Sequence, residues 1–94
     1  VSKAMTIPNL AENARFKGLG LVGTGDILNP LWEAELLRYA EEVDEGTYER
    51  KGVRFLLTTE VEDERRVHHV LIFPSIETVR EMRERLRPYS LDID

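Results

Sequence analysis

The chain has 94 residues, with 41% hydrophobic and 33% charged side chains and a net charge of −5. That is enough for one small domain with a packed core, residues 1–94, and the acidic balance argues against nucleic-acid binding by bulk charge, leaving only a local basic patch at Arg65, Arg66, Arg80, Arg83, Arg85 and Arg87. The chain has no cysteine, which excludes disulfides and thiolate metal sites, and no apolar run is long enough for a membrane span.

A cytoplasmic protein is the default expectation. Val1-Ser2-Lys3-Ala4-Met5 carries no signal-peptide core, and a cysteine-free composition fits a reducing compartment. Valine as first residue suggests an unconventional start or a chain that begins inside a longer one. From Thr6 to Gly18 the sequence predicts a short helix. Thr6 caps it, Pro8 suits its first turn, Gly18 suits the stop, and Leu10, Ala11 and Ala14 form its inner stripe. Gly18 to Val22 is apolar without alternation and predicts a short strand of a parallel sheet covered on both faces.

Gly23 to Leu28 is a loop, and Asn29-Pro30 caps and opens a second helix running to about Glu42. Leu31, Trp32, Ala34, Leu36, Leu37, Tyr39, Ala40 and Val43 give it a broad apolar face, and Glu33 and Glu35 favour its dipole. Glu41 to Gly52 is polar and predicts an exposed loop, with at most a short extended piece at Tyr48. Val53 to Glu60 is the next strand, with Phe55, Leu56 and Leu57 at its centre, and Val61 extends it. After a charged turn at Glu62-Asp63-Glu64-Arg65, Val67 to Phe73 returns as a strand. The short connection predicts an antiparallel hairpin, since a crossover needs far more chain. Pro74 ends that strand, Ser75 caps a last helix with Ile76, Val79, Met82 or Arg83, and Leu86 inward, and Pro88 stops it. The sum is a small open α/β unit with three helices and about three strands.

Candidate chemistry falls at strand ends. Asp26, after Gly23-Thr24-Gly25, is placed either to ligate a hard divalent cation or to serve the turn. The glycine spacing matches neither a P-loop nor a dinucleotide fingerprint. Glu60 follows five uncharged residues at a strand end. If buried it needs a partner, for which a metal would serve; if exposed it needs none. His68 and His69 are neighbours in a strand and point to opposite faces, so one at most joins a given cluster. No serine sits on a nucleophile elbow, which argues against covalent acyl transfer.

The runs Val1-Ser2-Lys3, Asn9-Leu10-Ala11, Lys17-Gly18, Val22-Gly23-Thr24-Gly25-Asp26 and Asn29-Pro30-Leu31-Trp32 resemble the early part of the PHP (polymerase and histidinol phosphatase) domain. So do Phe55-Leu56-Leu57-Thr58-Thr59-Glu60-Val61, Val67-His68-His69-Val70-Leu71 and Pro74-Ser75. The branch most similar is that of the endonuclease Q-like enzymes, and the resemblance covers essentially the whole chain.

The resemblance implies a piece of a distorted seven-stranded β/α barrel that binds divalent ions (Zn, Mn or Mg). It also implies hydrolysis of a DNA phosphodiester 5′ to a deaminated or abasic nucleotide, with DNA as a partner of the full-length protein. By position, Asp26 takes the second metal motif, where many relatives have histidine. Glu60 takes the bridging glutamate of the third and His69 its histidine, with His68 the less favoured ligand. The family's opening His-x-His strand and its later histidine and Asp-x-His ligands have no counterpart here. The resemblance therefore implies a partial barrel that keeps part of each metal's coordination, binds metal weakly and does not catalyse alone. Two non-catalytic readings stand beside it: a small α/β protein or truncated reading frame that forms a homo-oligomer over its open sheet edge, and an interaction module that meets an acidic partner through Arg80, Arg83 and Arg87.

Overall fold

The ten residues from Val53 to Glu62 form the strand against which most of the chain is built. The computed structural model describes residues 6–89; the readings made on Val1-Ser2-Lys3-Ala4-Met5 and on the tail 90–94 lie outside them. Helix α1 spans Ile7–Phe16. The Thr6 side chain accepts from the Asn9 N–H at 3.2 Å, and Gly18 takes φ +74 at the stop, as the capping pattern predicts. Strand β1 is Leu21–Gly23, and helix α2 is Pro30–Tyr39, with the Asn29 side chain accepting from the Leu31 and Trp32 N–H groups.

Helix α2 ends three residues earlier than its apolar pattern suggests. Ala40 is already extended, and Glu41–Asp44 forms strand β2, which turns through Gly46 into strand β3, Thr47–Arg50. Acidic Glu41 and Glu42 would oppose the dipole at a helix C-terminus, and as strand residues they pair with Glu49 and Tyr48. The expected loop from Glu41 to Gly52 is thus a hairpin, and the sheet has five strands instead of about three. Its signal in the sequence is weak because Tyr48 is its one deeply buried side chain.

Strand β4, Val53–Glu62, runs parallel to β1 and antiparallel to β3 along its first half. Along its second half it pairs antiparallel with strand β5, His68–Phe73, which is the predicted hairpin. Helix α3, Ile76–Leu86, follows, with the Ser75 side chain accepting from the Thr78 N–H.

Register sorts the strand residues onto two faces. Val22, Tyr48, Val53, Phe55, Leu57 and Phe73 share one. They pack with Ile7, Ala11 and Ala14 of α1, Trp32 and Leu36 of α2, and Ile76 and Val79 of α3. All three helices therefore bury their apolar stripes against the same side of the sheet. On α2 that stripe is Trp32 and Leu36, whereas Leu31, Ala34 and Leu37 face solvent. The opposite face carries Leu21, Leu56, Val70 and Ile72 and has no helix over it among the described residues. The sequence expectation that β1 is covered on both faces is therefore corrected: Leu21 is 57% exposed.

Two measurements check this packing. Gly46 has φ +73, and a Cβ there would strike the Pro74 carbonyl, whereas Gly52 has φ +83 with open space around it. In urea melts Gly46→Ala should destabilise clearly more than Gly52→Ala, which carries only the left-handed backbone penalty of about 1 kcal/mol. Burial and the adjacent Glu42 carboxylate raise the Tyr48 phenol pKa above its ordinary value of 10.0. The unfolded chain therefore releases this proton first. Stability is intact below the ordinary phenol value and falls as pH rises towards the raised folded value. Urea midpoints between neutral and strongly alkaline pH should show that loss, and Tyr48→Phe should flatten it.

Candidate functional site

The loop after β1 is held to β4 by backbone and hydroxyl groups. A Cβ on Gly23 would lie 2.7 Å from Thr58 Oγ1, so glycine is required for the close approach. The Thr24 N–H donates to the Leu56 carbonyl (2.9 Å). Thr24 Oγ1 accepts from the Thr58 N–H (3.0 Å) and donates to the Thr58 carbonyl (3.4 Å). Gly25 takes φ +87 and donates its N–H to Thr58 Oγ1 (2.8 Å). That left-handed residue reverses the chain. The Ile27 N–H then reaches the Thr58 carbonyl (3.1 Å), and Asp26 lies opposite Thr59 in an antiparallel bridge. The amides of Thr24, Gly25 and Ile27 are all directed at β4. The two glycines thus shape a turn, and those amides are not free to cradle a phosphate.

The far side of the loop is clamped by α2 and α3. Trp32 Nε1 donates to the Thr24 carbonyl (2.5 Å). Arg83 Nε donates to the Leu28 carbonyl (2.7 Å), and its Nη2 donates to the Ile27 carbonyl (3.1 Å) and to Glu33 Oε1 (2.7 Å). Arg80 holds the other oxygen of Glu33 at 2.8 Å. The side chains of Glu33 and Arg83 are only 9% and 12% exposed. This network is not evident from composition, which suggested a helix-dipole role for Glu33 and a free basic face for the arginines. A signal was present in the spacing: Glu33 lies one turn from Leu36 on the buried stripe, and a charge there demands an opposite charge on the facing helix. Arg87 pairs with Glu84 at 3.1 Å. Arg83 is thus enclosed within the chain, while Arg80 and Arg87 pair with carboxylates but stay largely exposed.

The candidate ligands separate by face. Glu60 is opposite Val70, and His68 is opposite Glu62, so Glu60 and His68 project from the same helix-free face of the β4–β5 ribbon. His69 lies on the other face, opposite Val61, and its Nε2 is 3.0 Å from Asp63 Oδ2. Asp63 also accepts from the Arg65 and Val67 N–H groups. These bonds, with His69 foremost, hold its carboxyl below the usual range. Asp26 is half-buried and placed across from Thr59, next in the chain to Glu60. Among the described residues no three histidine or carboxylate side chains converge to hold a metal ion. Asp26, Glu60 and His68 carry donors suited to a divalent cation, but Asp26, bridged to Thr59, falls on the face of β4 that Val61 and His69 share, opposite to Glu60 and His68, so the three are not assembled into a site here.

These features define a small α/β protein of three helices on one face of a mixed five-stranded open sheet, with carboxylate and imidazole groups on the free face. No family model matches the chain. The chain is similar to a portion of endonuclease Q. One match is the crystal structure of endonuclease Q in complex with a 27-mer duplex substrate bearing an abasic lesion at the active site. It has 61% identity and a TM-score of 0.90, and covers 99% of this chain and 24% of that one. Another is the lesion-specific endonuclease PfuEndoQ of Pyrococcus furiosus, at 61% identity and a TM-score of 0.91 over 100% of this chain and 24% of that one. An uncharacterized protein of Methanocaldococcus jannaschii, MJ0043, is 41% identical over 93 residues, 99% of this chain and 10% of its own length. The chain thus spans about a quarter of the endonuclease Q chains and a tenth of the curated relative. No helix among the described residues is long and apolar enough to cross a membrane.

Removing one partner of the buried pair should leave the other charge stranded. Arg83→Met is expected to lower unfolding free energy by about 3 kcal/mol. Amide hydrogen exchange should rise at Thr24, Gly25 and Ile27, whose hydrogen bonds the clamp supports. Arg80→Met, at the half-exposed end of the network, should have a much smaller effect on both.

Proposed function

We propose that this chain is the α/β segment of a metal-dependent DNA-repair endonuclease of the endonuclease Q type, with residues 1–94 folding as one unit of it. The reaction class is hydrolysis of a phosphodiester at an abasic or deaminated nucleotide. The observation that carries the reading is identity of 61% maintained over 99% of the chain with a TM-score of 0.90, against an enzyme bound to an abasic duplex.

Within that reading, Glu60 and His68 supply ligands from one face, while Asp26, bridged to Thr59, carries its carboxylate at the strand edge on the side that His69 shares. His68 is favoured over His69, reversing the preference drawn from motif position, because His68 shares the face of Glu60 while His69 is turned to Asp63. The described residues alone do not complete a site, and this reading takes the remaining ligands from other parts of such an enzyme. What β4 and β5 do here is hold Glu60 and His68 on one face of their ribbon.

The test is a chimaera in which the matched quarter of the Pyrococcus furiosus enzyme is replaced by this chain. The chimaera should incise a duplex with an abasic lesion. Glu60→Gln and His68→Ala should each reduce incision by at least about 100-fold, a loss expected when groups acting on the reacting centre are removed, while His69→Ala should retain most of it. A folded chimaera with no incision, or one indifferent to Glu60→Gln, would sink the reading.

A further inference from the structure

The cations of this chain divide into a paired and an unpaired set. Arg54, Arg80, Arg83, Arg85 and Arg87 each hold a carboxylate. Among the described residues Arg15, Lys17, Arg38, Arg50 and Lys51 hold none. The fold brings these five to one pole. Strands β1, β2 and β4 run in the same direction, so they start from the same end of the sheet. Helix α1 runs to that end before β1 and carries Arg15 and Lys17 there; α2 runs to it before β2 and carries Arg38. The turn from β3 into β4 adds Arg50 and Lys51. Glu60 lies roughly 23 Å further along β4 than Val53, towards the opposite end.

Tyr39 organises the centre of this pole. The Arg38 guanidinium lies 5.2 Å from its ring centroid and the Arg50 guanidinium 5.5 Å. Arg50 Nη1 also donates to the Tyr39 carbonyl at 3.0 Å, which fixes it at the end of α2. Cations there answer the helix dipole, but two guanidiniums on one ring also repel each other, and no carboxylate lies between them. Glu41 and Glu49 stand opposite each other on the helix-free face, where Glu49 holds Arg54. Arg50 is opposite Val53 and so faces the helices. Glu35 is turned to the Ile7 N–H, and Glu12, one turn before Arg15, forms no ion pair with it. Lys51 takes φ +50 beside Gly52 at φ +83, a turn geometry in which asparagine is the usual first residue. A lysine held there against its backbone preference is exposed at the tip.

We propose that this pole is an anion-binding surface for the phosphate backbone of a nucleic-acid strand, centred on Arg38, Arg50 and Lys51 and flanked by Arg15 and Lys17. The planar guanidinium fork matches phosphate oxygens, and such contacts are independent of base sequence. Phe16, 92% exposed between Arg15 and Lys17, adds an aromatic face of the kind on which unpaired bases stack. An acidic peptide matches the charge alone. The proposal goes beyond the nuclease reading and does not depend on it, since it concerns the end of the sheet remote from Glu60 and His68. The net charge of −5 opposes a polyanion at long range, so binding belongs to low ionic strength.

The test is fluorescence anisotropy of a labelled, lesion-free single strand with this chain, in a chelator and at about 50 mM salt. The parent chain should bind. Arg38→Glu with Lys51→Glu should weaken binding at least about tenfold and lower the log–log salt slope by about two. Both side chains are exposed, so the variant should melt with the parent, and Arg38→Gln with Lys51→Gln should show the same loss in milder form. Phe16→Ala should weaken the single strand more than its duplex. Arg65→Glu with Arg66→Glu makes the same change of net charge at the β4–β5 turn and should leave affinity within about twofold. A parent chain that binds no strand, or a variant at Arg38 and Lys51 that binds as the parent does, would overturn the proposal. An equal loss from the pair at Arg65 and Arg66 would do so too, because bulk charge would then be the cause. Displacement by polyglutamate as readily as by unlabelled DNA, or indifference to Phe16→Ala, would assign the surface to carboxylates instead. With neither metal nor lesion present, the result stands apart from whether the chimaera incises DNA.

Discussion

A β-strand has two hydrogen-bonding edges, and β4 uses both over most of its ten residues. One edge takes β1 and then the loop from Thr24 to Ile27; the other takes β3 and then β5. The side chains of Val53, Phe55 and Leu57 alternate onto one face and are fully buried there. Each such side chain contributes roughly 1.5–3 kcal/mol when removed from water. The strand thus fixes the register of its neighbours and the side on which the helices must lie. A slip of one residue would turn Phe55 and Leu57 outward and put Arg54 and Thr58 in the core.

Thr58 marks where this scaffold becomes a site. It belongs to the face without helices, yet it is buried, because the turn at Gly23 to Gly25 closes over it. Its amide, carbonyl and hydroxyl all bond to that turn. Asp26 is carried to β4 by those bonds and kept there by Trp32 and Arg83 from behind. The carboxylate is therefore positioned by a turn hydrogen-bonded on one side and clamped by a near-buried ion pair on the other. A loop restrained from both sides loses little further freedom on engaging a ligand.

The asymmetry of the sheet connects fold to the proposed activity. Helices on one side only leave a surface that is apolar at Leu21, Val70 and Ile72 and polar at Glu60 and His68. Among the described residues, Glu60 and His68 on that surface have no third carboxylate or imidazole converging with them.

The local elements were legible in the sequence because their causes are local. Thr6, Asn29 and Ser75 cap the three helices, Gly18 ends the first, and the short spacing between the last two strands dictates an antiparallel hairpin. The residues of the candidate site were likewise legible as types: carboxylates at a turn and a strand end, and a histidine doublet. What local pattern did not reveal depended on partners distant in the chain. The β2–β3 hairpin exists because β4 offers an edge, not because Glu41–Asp44 is a strong strand former. Glu33 is inside because Arg83, fifty residues later, meets it there. Which face His68 and His69 each take follows from the register of β5 on β4, since adjacent strand residues point to opposite faces. The sequence by itself determined the helix caps and the β4–β5 hairpin; the order and pairing of the strands, the buried ion pair and the bare face of the sheet were decided only by tertiary structure, because each depends on which distant residues come to lie opposite one another.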